Sequence, residues 1–404
     1  MSKIFITGMG VTSTAGFTLT DFWNTLYNGE LTYHEIEEFK NSKNYRFFVG
    51  ARIPETDYEE LVAPDYRKKY GKASNYVIRT TREALSDANL KAADLPSGRT
   101  AICLGTTMGE IQVEEQLSEL RHEKGLENIE PALFKKYKTE QITTSLVDEL
   151  QCSGPVYTIP AACASGNYAM ALGKLLIEWD LADIAIVGGV DVFSRVAFSG
   201  FQRLLSLSPN VCKPFDKTRK GLIVGEGCGI VILEREDVAR DRGAAVKGVV
   251  AGASLYTDHY HMTAPHPEGD AAVKVMEAAL TNANIEKSKI DYISAHGTAT
   301  WINDKTELKA IKRIFEDDIP PLSSIKSMLG HAMGAAGALE IIASVQMLAH
   351  NVMLPTMNFT EPEDGYELNF VPNKPQNKNL NNILSNSFGF GGQISSVIIS
   401  KGEL

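Results

Sequence analysis

The 404-residue sequence is short of several features, and each shortage removes a class of protein. It has only five cysteines (103, 152, 163, 212 and 228), an odd number with no CxxC pair. That set predicts neither a zinc module nor a disulfide framework, but free thiols in a reducing, cytoplasmic setting. Basic residues are outnumbered, 40 Lys and Arg against 50 Asp and Glu, for a formal net charge of −10. A general nucleic-acid binder carries the opposite balance. No stretch reads as approaching the ~18 apolar residues of a membrane helix. The opening MSKIFITGMG has only a short apolar run before Gly8 and reads as a first core strand, not a targeting segment. The GMGVTSTAG loop expected after it lacks the GxGxxG spacing of a dinucleotide site. Nucleic acid, membrane and metal are therefore not expected as ligands.

What is present is the composition of an ordinary globular protein, 44% hydrophobic and 22% charged. The length predicts two domains or one large two-part α/β unit. Apolar runs at 4–7, 101–110, 156–160, 182–192 and 221–236 read as strands, and 74–89 has helical periodicity. Further on, 269–284 and 306–315 read as helices and 290–300 as a strand entering a loop. Residues 321–348 read as a strand, a loop and a long Ala-rich helix. The two parts rhyme: ACASGNYAMALGKLL answers GHAMGAAGALEIIASV, and VGEGCGIVIL answers FGFGGQISSVII. This is a weak repeat of a whole βα unit, divided as 1–243 and 244–404. Strand–helix alternation favours sheets covered by helices, with ligand sites where loops leave the strand ends.

The chemistry centres on Pro160–Trp179, PAACASGNYAMALGKLLIEW. Cys163 lies where the VYTIP strand gives way to a helix whose apolar face runs through Tyr168, Ala171, Leu172 and Leu175. Free N–H groups and the helix dipole at such a turn favour a thiolate, and small neighbours leave room for a bulky group. A solitary Cys among alanines is more often a small buried apolar residue. Two later histidines change that balance. His296 sits in SAHGTAT, and His331 sits in KSMLGHAMGAAG, five residues after Lys326. Both are flanked by glycine and alanine that would let a substrate approach. A basic cluster at Arg67, Lys68 and Lys69 reads, on its own, as a solvated helix face.

Taken together, ACASG, AHGT, KSMLGHAMGAAG and the terminal NSFGFGG resemble the β-ketoacyl-acyl carrier protein synthases, in particular the elongating, synthase II-like branch. KPFDKTRKGLIVGEG, YHMTAPHPEG and DKTELKAI add to the likeness, and their order and spacing extend it over the whole chain. The resemblance implies a thiolase-like α/β fold, two similar halves in five layers, αβαβα. It implies that Cys163 takes the acyl chain as a thioester. His296 and His331 would bind the malonyl thioester oxygen and assist loss of CO2, with Lys326 tuning the site. Glu340, Asp304 and Glu307 fall at supporting positions. The resemblance also implies that Cys163 and Phe390 would supply the oxyanion-hole N–H groups, with Phe390 as the gate. Thr298 and Thr300 match positions holding the phosphopantetheine arm, and Met108 and Phe201 match positions facing the acyl chain. Arg67, Lys68 and Lys69 fall where related synthases meet the acidic acyl carrier protein, their partner. The substrates arrive on the carrier's phosphopantetheine and no cofactor is implied. The assembly implied is a homodimer, or a heterodimer with a homologous chain-length-factor-like ketosynthase.

Gln393-Ile394-Ser395-Ser396 stands where the common fatty-acid pattern has Thr-Asn-Gly, and Glu110 where a small residue is usual. Both lean toward specialised type II polyketide or aryl-polyene systems. The alternatives are a thiolase acting on acyl-CoA, disfavoured because no Cys follows Cys228, and a non-catalytic partner, which would lack Cys163 or a histidine. A priming decarboxylase would carry Gln at position 163.

Overall fold

In a computed structural model, which describes residues 3–402, the apolar runs pair into ten hydrogen-bonded strands. In chain order these are β1 (Ile4–Ser13), β2 (Thr100–Gly105), β3 (Val156–Ile159), β4 (Ile184–Asp191) and β5 (Gly227–Arg235). They continue as β6 (Gly248–Thr257), β7 (Tyr292–Ser294), β8 (Leu322–Ser323), β9 (Asn382–Phe388) and β10 (Gln393–Lys401). The spatial order is β8-β7-β9-β10-β6-β1-β5-β4-β2-β3. Each set of five has one pattern. In the first, β3, β2 and β4 are parallel, and β5 and β1 follow antiparallel. In the second, β8, β7 and β9 are parallel, and β10 and β6 follow antiparallel. The sets join only at Phe5–Ile6 against Gly248–Val249.

Helices complete the layers. The helices Lys72–Asp87 and Gln141–Leu150 cover the outer face of the first set, and Asp270–Ala283 and Trp301–Phe315 cover the second. Between the two lie Ser165–Glu178 and Ala336–His350, packed on each other and on strands of both sets. This is the five-layered αβαβα arrangement of a thiolase-like fold. A helix between two sheets must be apolar nearly all round, which explains the composition of Ala336–His350. Each fully buried Leu or Ile along it contributes about 1.5–3 kcal/mol.

Two expectations are corrected. Met333–His350 is, by length and composition, apolar enough to cross a membrane, although no such stretch was expected. The fold buries 83% of it between the sheets, which accounts for its hydropathy. The GMGVTSTAG segment is not a loop, because β1 runs through it to Ser13. Its glycines serve helix packing. A Cβ on Gly8 would meet Ala84 O at 2.3 Å, and one on Gly10 would meet Thr80 O at 2.2 Å. Glycine inside a strand here marks the close approach of the Lys72–Asp87 helix.

Candidate active site

The turn carrying Cys163 is a 3-10 segment, Ala162–Ala164, between β3 and the Ser165–Glu178 helix. Ala162 holds a left-handed conformation, φ 47°, which is costly for a residue with a Cβ. Ser165 pins the turn: its Oγ accepts the Ala161 N–H at 2.9 Å and lies 2.6 Å from Ala162 O. The histidine side repeats the design. Met333–Ala335 is a 3-10 turn just after His331, leading into Ala336–His350, and Met333 has φ 49°. His331 is fixed by its own backbone, donating to Ile223 O at 2.7 Å and accepting from Gly225 N at 2.9 Å. The two turns pack against each other.

His296 follows β7 and arrives from a third direction. Glu307, on the Trp301–Phe315 helix, accepts the His296 N–H at 2.8 Å and the Gly297 N–H at 2.9 Å. Asp304 does the same for Phe215 N at 2.8 Å and Ala299 N at 3.2 Å. Burial is the main influence raising both carboxyls, Glu307 to about 7 and Asp304 to about 6. Lys326 donates to His296 O at 2.8 Å and to Glu340, both side chains being fully buried. Burial lifts Glu340 to about 7 against the pull of that cation.

Cys163, His296 and His331 open onto one cavity of about 310 Å³, whose lining also includes Phe201, Thr298, Thr300 and Phe390. The imidazoles stand nearly perpendicular, with centroids 5.4 Å apart. Burial, then the Lys326 charge, keeps both well below the ordinary histidine range, so both are neutral. Each Nδ1 is buried without a hydrogen-bond partner among the described residues, leaving Nε2 as the edge open to the cavity. The Cys163 thiol corrects an expectation. Burial pushes it up to about 12, opposed by Lys326 and by the backbone N–H groups of Cys163 and Phe390. Burial thus has the largest influence on this thiol and favours its neutral form, whereas the helix start was expected to favour a thiolate.

Other predicted residues fall in different surroundings. Phe201 and Phe390 face each other at 5.9 Å in the cavity wall, and Thr298 and Thr300 share a 2.8 Å hydroxyl contact. Met108 does not line this cavity; it packs against the apolar cluster under the Lys72–Asp87 helix. Arg67, Lys68 and Lys69 end a short helix, Pro64–Lys69, away from the cavity lining. There Arg67 pairs with Glu59 at 2.9 Å and Lys69 with Asp148 at 3.9 Å. Glu110 is buried and accepts the Ala73 N–H at 3.2 Å and the Ser74 N–H at 2.7 Å, which caps the Lys72–Asp87 helix. Asp191, at the end of β4, escaped the sequence reading; its signal was an acid closing a buried strand after Gly188-Gly189.

Comparison with known proteins decides the family. The N-terminal domain of the β-ketoacyl synthases matches residues 1–239, and the C-terminal domain matches 247–360. The chain belongs to the β-ketoacyl synthase family. It is an acyl-transferring condensing enzyme, of the class acting in fatty acid or polyketide elongation. Among curated relatives of this synthase, the 3-oxoacyl-[acyl-carrier-protein] synthase 2 of Staphylococcus aureus is 30% identical, covering 99% of both chains. Among solved structures, the ishigamide ketosynthase/chain length factor superposes with a TM-score of 0.94 at 34% identity over the full length of both chains. A type II polyketide acyl carrier protein complexed with its hexaketide-bound ketosynthase is matched with a TM-score of 0.92 at 27% identity, over 99% of this chain and 100% of that one.

Proposed function

We propose that this synthase joins a Cys163-bound acyl chain to malonyl-acyl carrier protein, giving 3-oxoacyl-carrier protein, CO2 and free carrier. The observation that carries this reading is the shared cavity of Cys163, His296 and His331, with two backbone N–H groups turned to the thiol. In the first step Sγ attacks the acyl thioester, and the Cys163 and Phe390 N–H groups hold the oxyanion. The thiol proton leaves with the departing pantetheine sulfur. In the second step malonyl loses CO2. The neutral histidines donate from Nε2 to the thioester oxygen as its carbanion forms, and that carbon attacks the acyl-Cys163 carbonyl. Collapse expels the sulfur of Cys163 as a thiolate, which takes one proton from water to restore the thiol. Neutrality matters because only an N–H donor that keeps its proton can stabilise the enolate without quenching it.

Lys326 and Glu340 act as a buried pair that orders His296, and Glu307 and Asp304 hold the loops carrying His296 and Thr298. Phe390 is the gate and Phe201 faces the acyl chain, whereas support for Met108 in that role is only positional. Thr298 and Thr300 receive the phosphopantetheine arm. The carrier meets Arg67, Lys68 and Lys69, a reading supported by charge complementarity. Nucleophile, donors and oxyanion hole all come from the chain, so the reaction calls for no resident cofactor. A second chain, identical or a chain-length-factor-like homologue, would meet the free edge of β3, where Val156 and Tyr157 stay 38% and 44% exposed. The division at 243/244 is part of the same reading, supported by the join lying between the Glu236–Asp241 helix and β6. The five free cysteines are in keeping with a cytoplasmic location. Mapping the thioester formed from a panel of acyl-carrier proteins tests the proposal: label is expected on Cys163, and label on another cysteine refutes the assignment.

A further inference from the structure

Asp191 is fully buried at the end of β4 and forms no ion pair among the described residues. Four donors converge on it. Oδ1 accepts from Thr106 Oγ1 at 2.9 Å and from Met108 N at 2.8 Å, while Oδ2 accepts from Thr107 N at 2.8 Å and from Gly334 N at 2.7 Å. Burial raises this carboxyl above the ordinary aspartate range, and the four donors act against that by favouring the carboxylate. Thr106 and Gly334 belong to the two halves of the active site. The Thr106 carbonyl lies 3.1 Å from Ser165 Oγ, the group that pins the Cys163 turn. Gly334 is in the turn just after His331, and a Cβ there would stand 2.7 Å from both Asp191 Oδ2 and Thr107 N.

We infer that Asp191 is a positioning residue, holding the Cys163 turn and the His331 turn at one spacing across the boundary between the two halves. The inference rests on the condensing-enzyme reading of the site. The link runs from Cys163 through Ser165 and Thr106 to Asp191, and from Asp191 through Gly334 to His331. Misplacing either end by about an ångström separates the acyl carbonyl from the malonyl carbanion, which is the loss that orientation normally prevents. The carboxylate also sets the charge around the nucleophile. The groups near the thiol are neutral His296 and His331, the paired Lys326 and Glu340, Glu307 held by backbone N–H groups, and Asp191. The Asp191 charge raises the thiol against the pull of Lys326.

Asp191→Asn tests both effects, because it removes the charge and sets an amide NH2 against N–H donors. The condensation kcat is expected to fall on the order of tenfold or more, with KM for malonyl-carrier protein within about twofold of wild type. Alkylation of Cys163 by iodoacetamide is expected to shift toward lower pH. Thr106→Val keeps the charge and removes one strut: kcat should fall several-fold while the alkylation profile stays in place. Asp191→Asn with wild-type kcat, or with lowered kcat but an unmoved alkylation profile, overturns the inference. If Asp191→Asn does not fold, wild-type kcat in Thr106→Val overturns it instead. Alkylation needs no acyl substrate, so a wild-type protein without condensing activity would fail the functional reading while leaving the alkylation result readable.

Discussion

The Cys163 turn and the His331 turn are one design built twice. Each is a 3-10 segment with a left-handed non-glycine residue, and each leads into a helix of the central layer. Their surroundings differ. The first follows a half-exposed edge strand and carries a thiol raised by burial. The second follows the fully buried segment Lys326–Leu329, lies beside an ammonium and carries an imidazole kept neutral. Duplication supplied two equivalent places to present a side chain toward one cavity. Both feel the Lys326 charge, so what separates them is the side chain each presents, a thiol in one and an imidazole in the other.

The comparison is broken most completely by Cys163→Ala. Condensation should drop to background while malonyl-carrier protein decarboxylation persists, measured by CO2 release; retained carbon–carbon bond formation would remove Cys163 from its role. His331→Ala should do the converse. Decarboxylation and condensation fall on the order of 10²- to 10³-fold, as for a lost oxyanion donor, and Cys163 acylation stays within several-fold. Equal loss in both half-reactions would show that the turns are not specialised. The strained residues sharpen the contrast at the level of stability. Met333→Gly relieves the left-handed strain but loses a buried side chain, and should cost about 2–5 kcal/mol in denaturant unfolding. Ala162→Gly has almost nothing to lose and should stay within about 1 kcal/mol of wild type. Similar costs at both sites would mean that the turns are packed alike. The smallest effect lies outside both turns. Reversing Arg67, Lys68 and Lys69 together should raise KM for acyl-carrier protein several-fold at unchanged kcat, and an unmoved KM returns that helix to solvent.

Much of the site was legible because its residues sit in short strings with a local meaning. Cys163 at a strand-to-helix turn, and His296 and His331 among glycines and alanines, need no long-range contact to be noticed. The repeat pointed to two similar halves, and the identical strand order in both sets of five agrees with that. What escaped depends on segments far apart in the chain. A strand with Gly8 and Gly10 reads as a loop until the helix packed against it explains the missing side chains. The apolar run ending at His350 drew no notice as a possible membrane span, and its length is explained by two sheets that cover it from both sides. Asp191 reads as the polar end of a strand until four donors from two loops are seen on its oxygens.

The amino-acid sequence by itself determined the chemistry available: one nucleophile at a helix start, two imidazoles, a lysine, and glycine-rich turns that admit a substrate. It also determined the alternation that makes a layered α/β protein, since periodicity is a local property of the chain. Tertiary structure decided the electrical state of those groups. Burial turned the expected thiolate into a thiol and the two histidines into neutral donors, because the cost of removing a charge from water depends on everything packed around it. It also decided that groups 168 residues apart, Cys163 and His331, share one cavity, a distance that no spacing along the chain records.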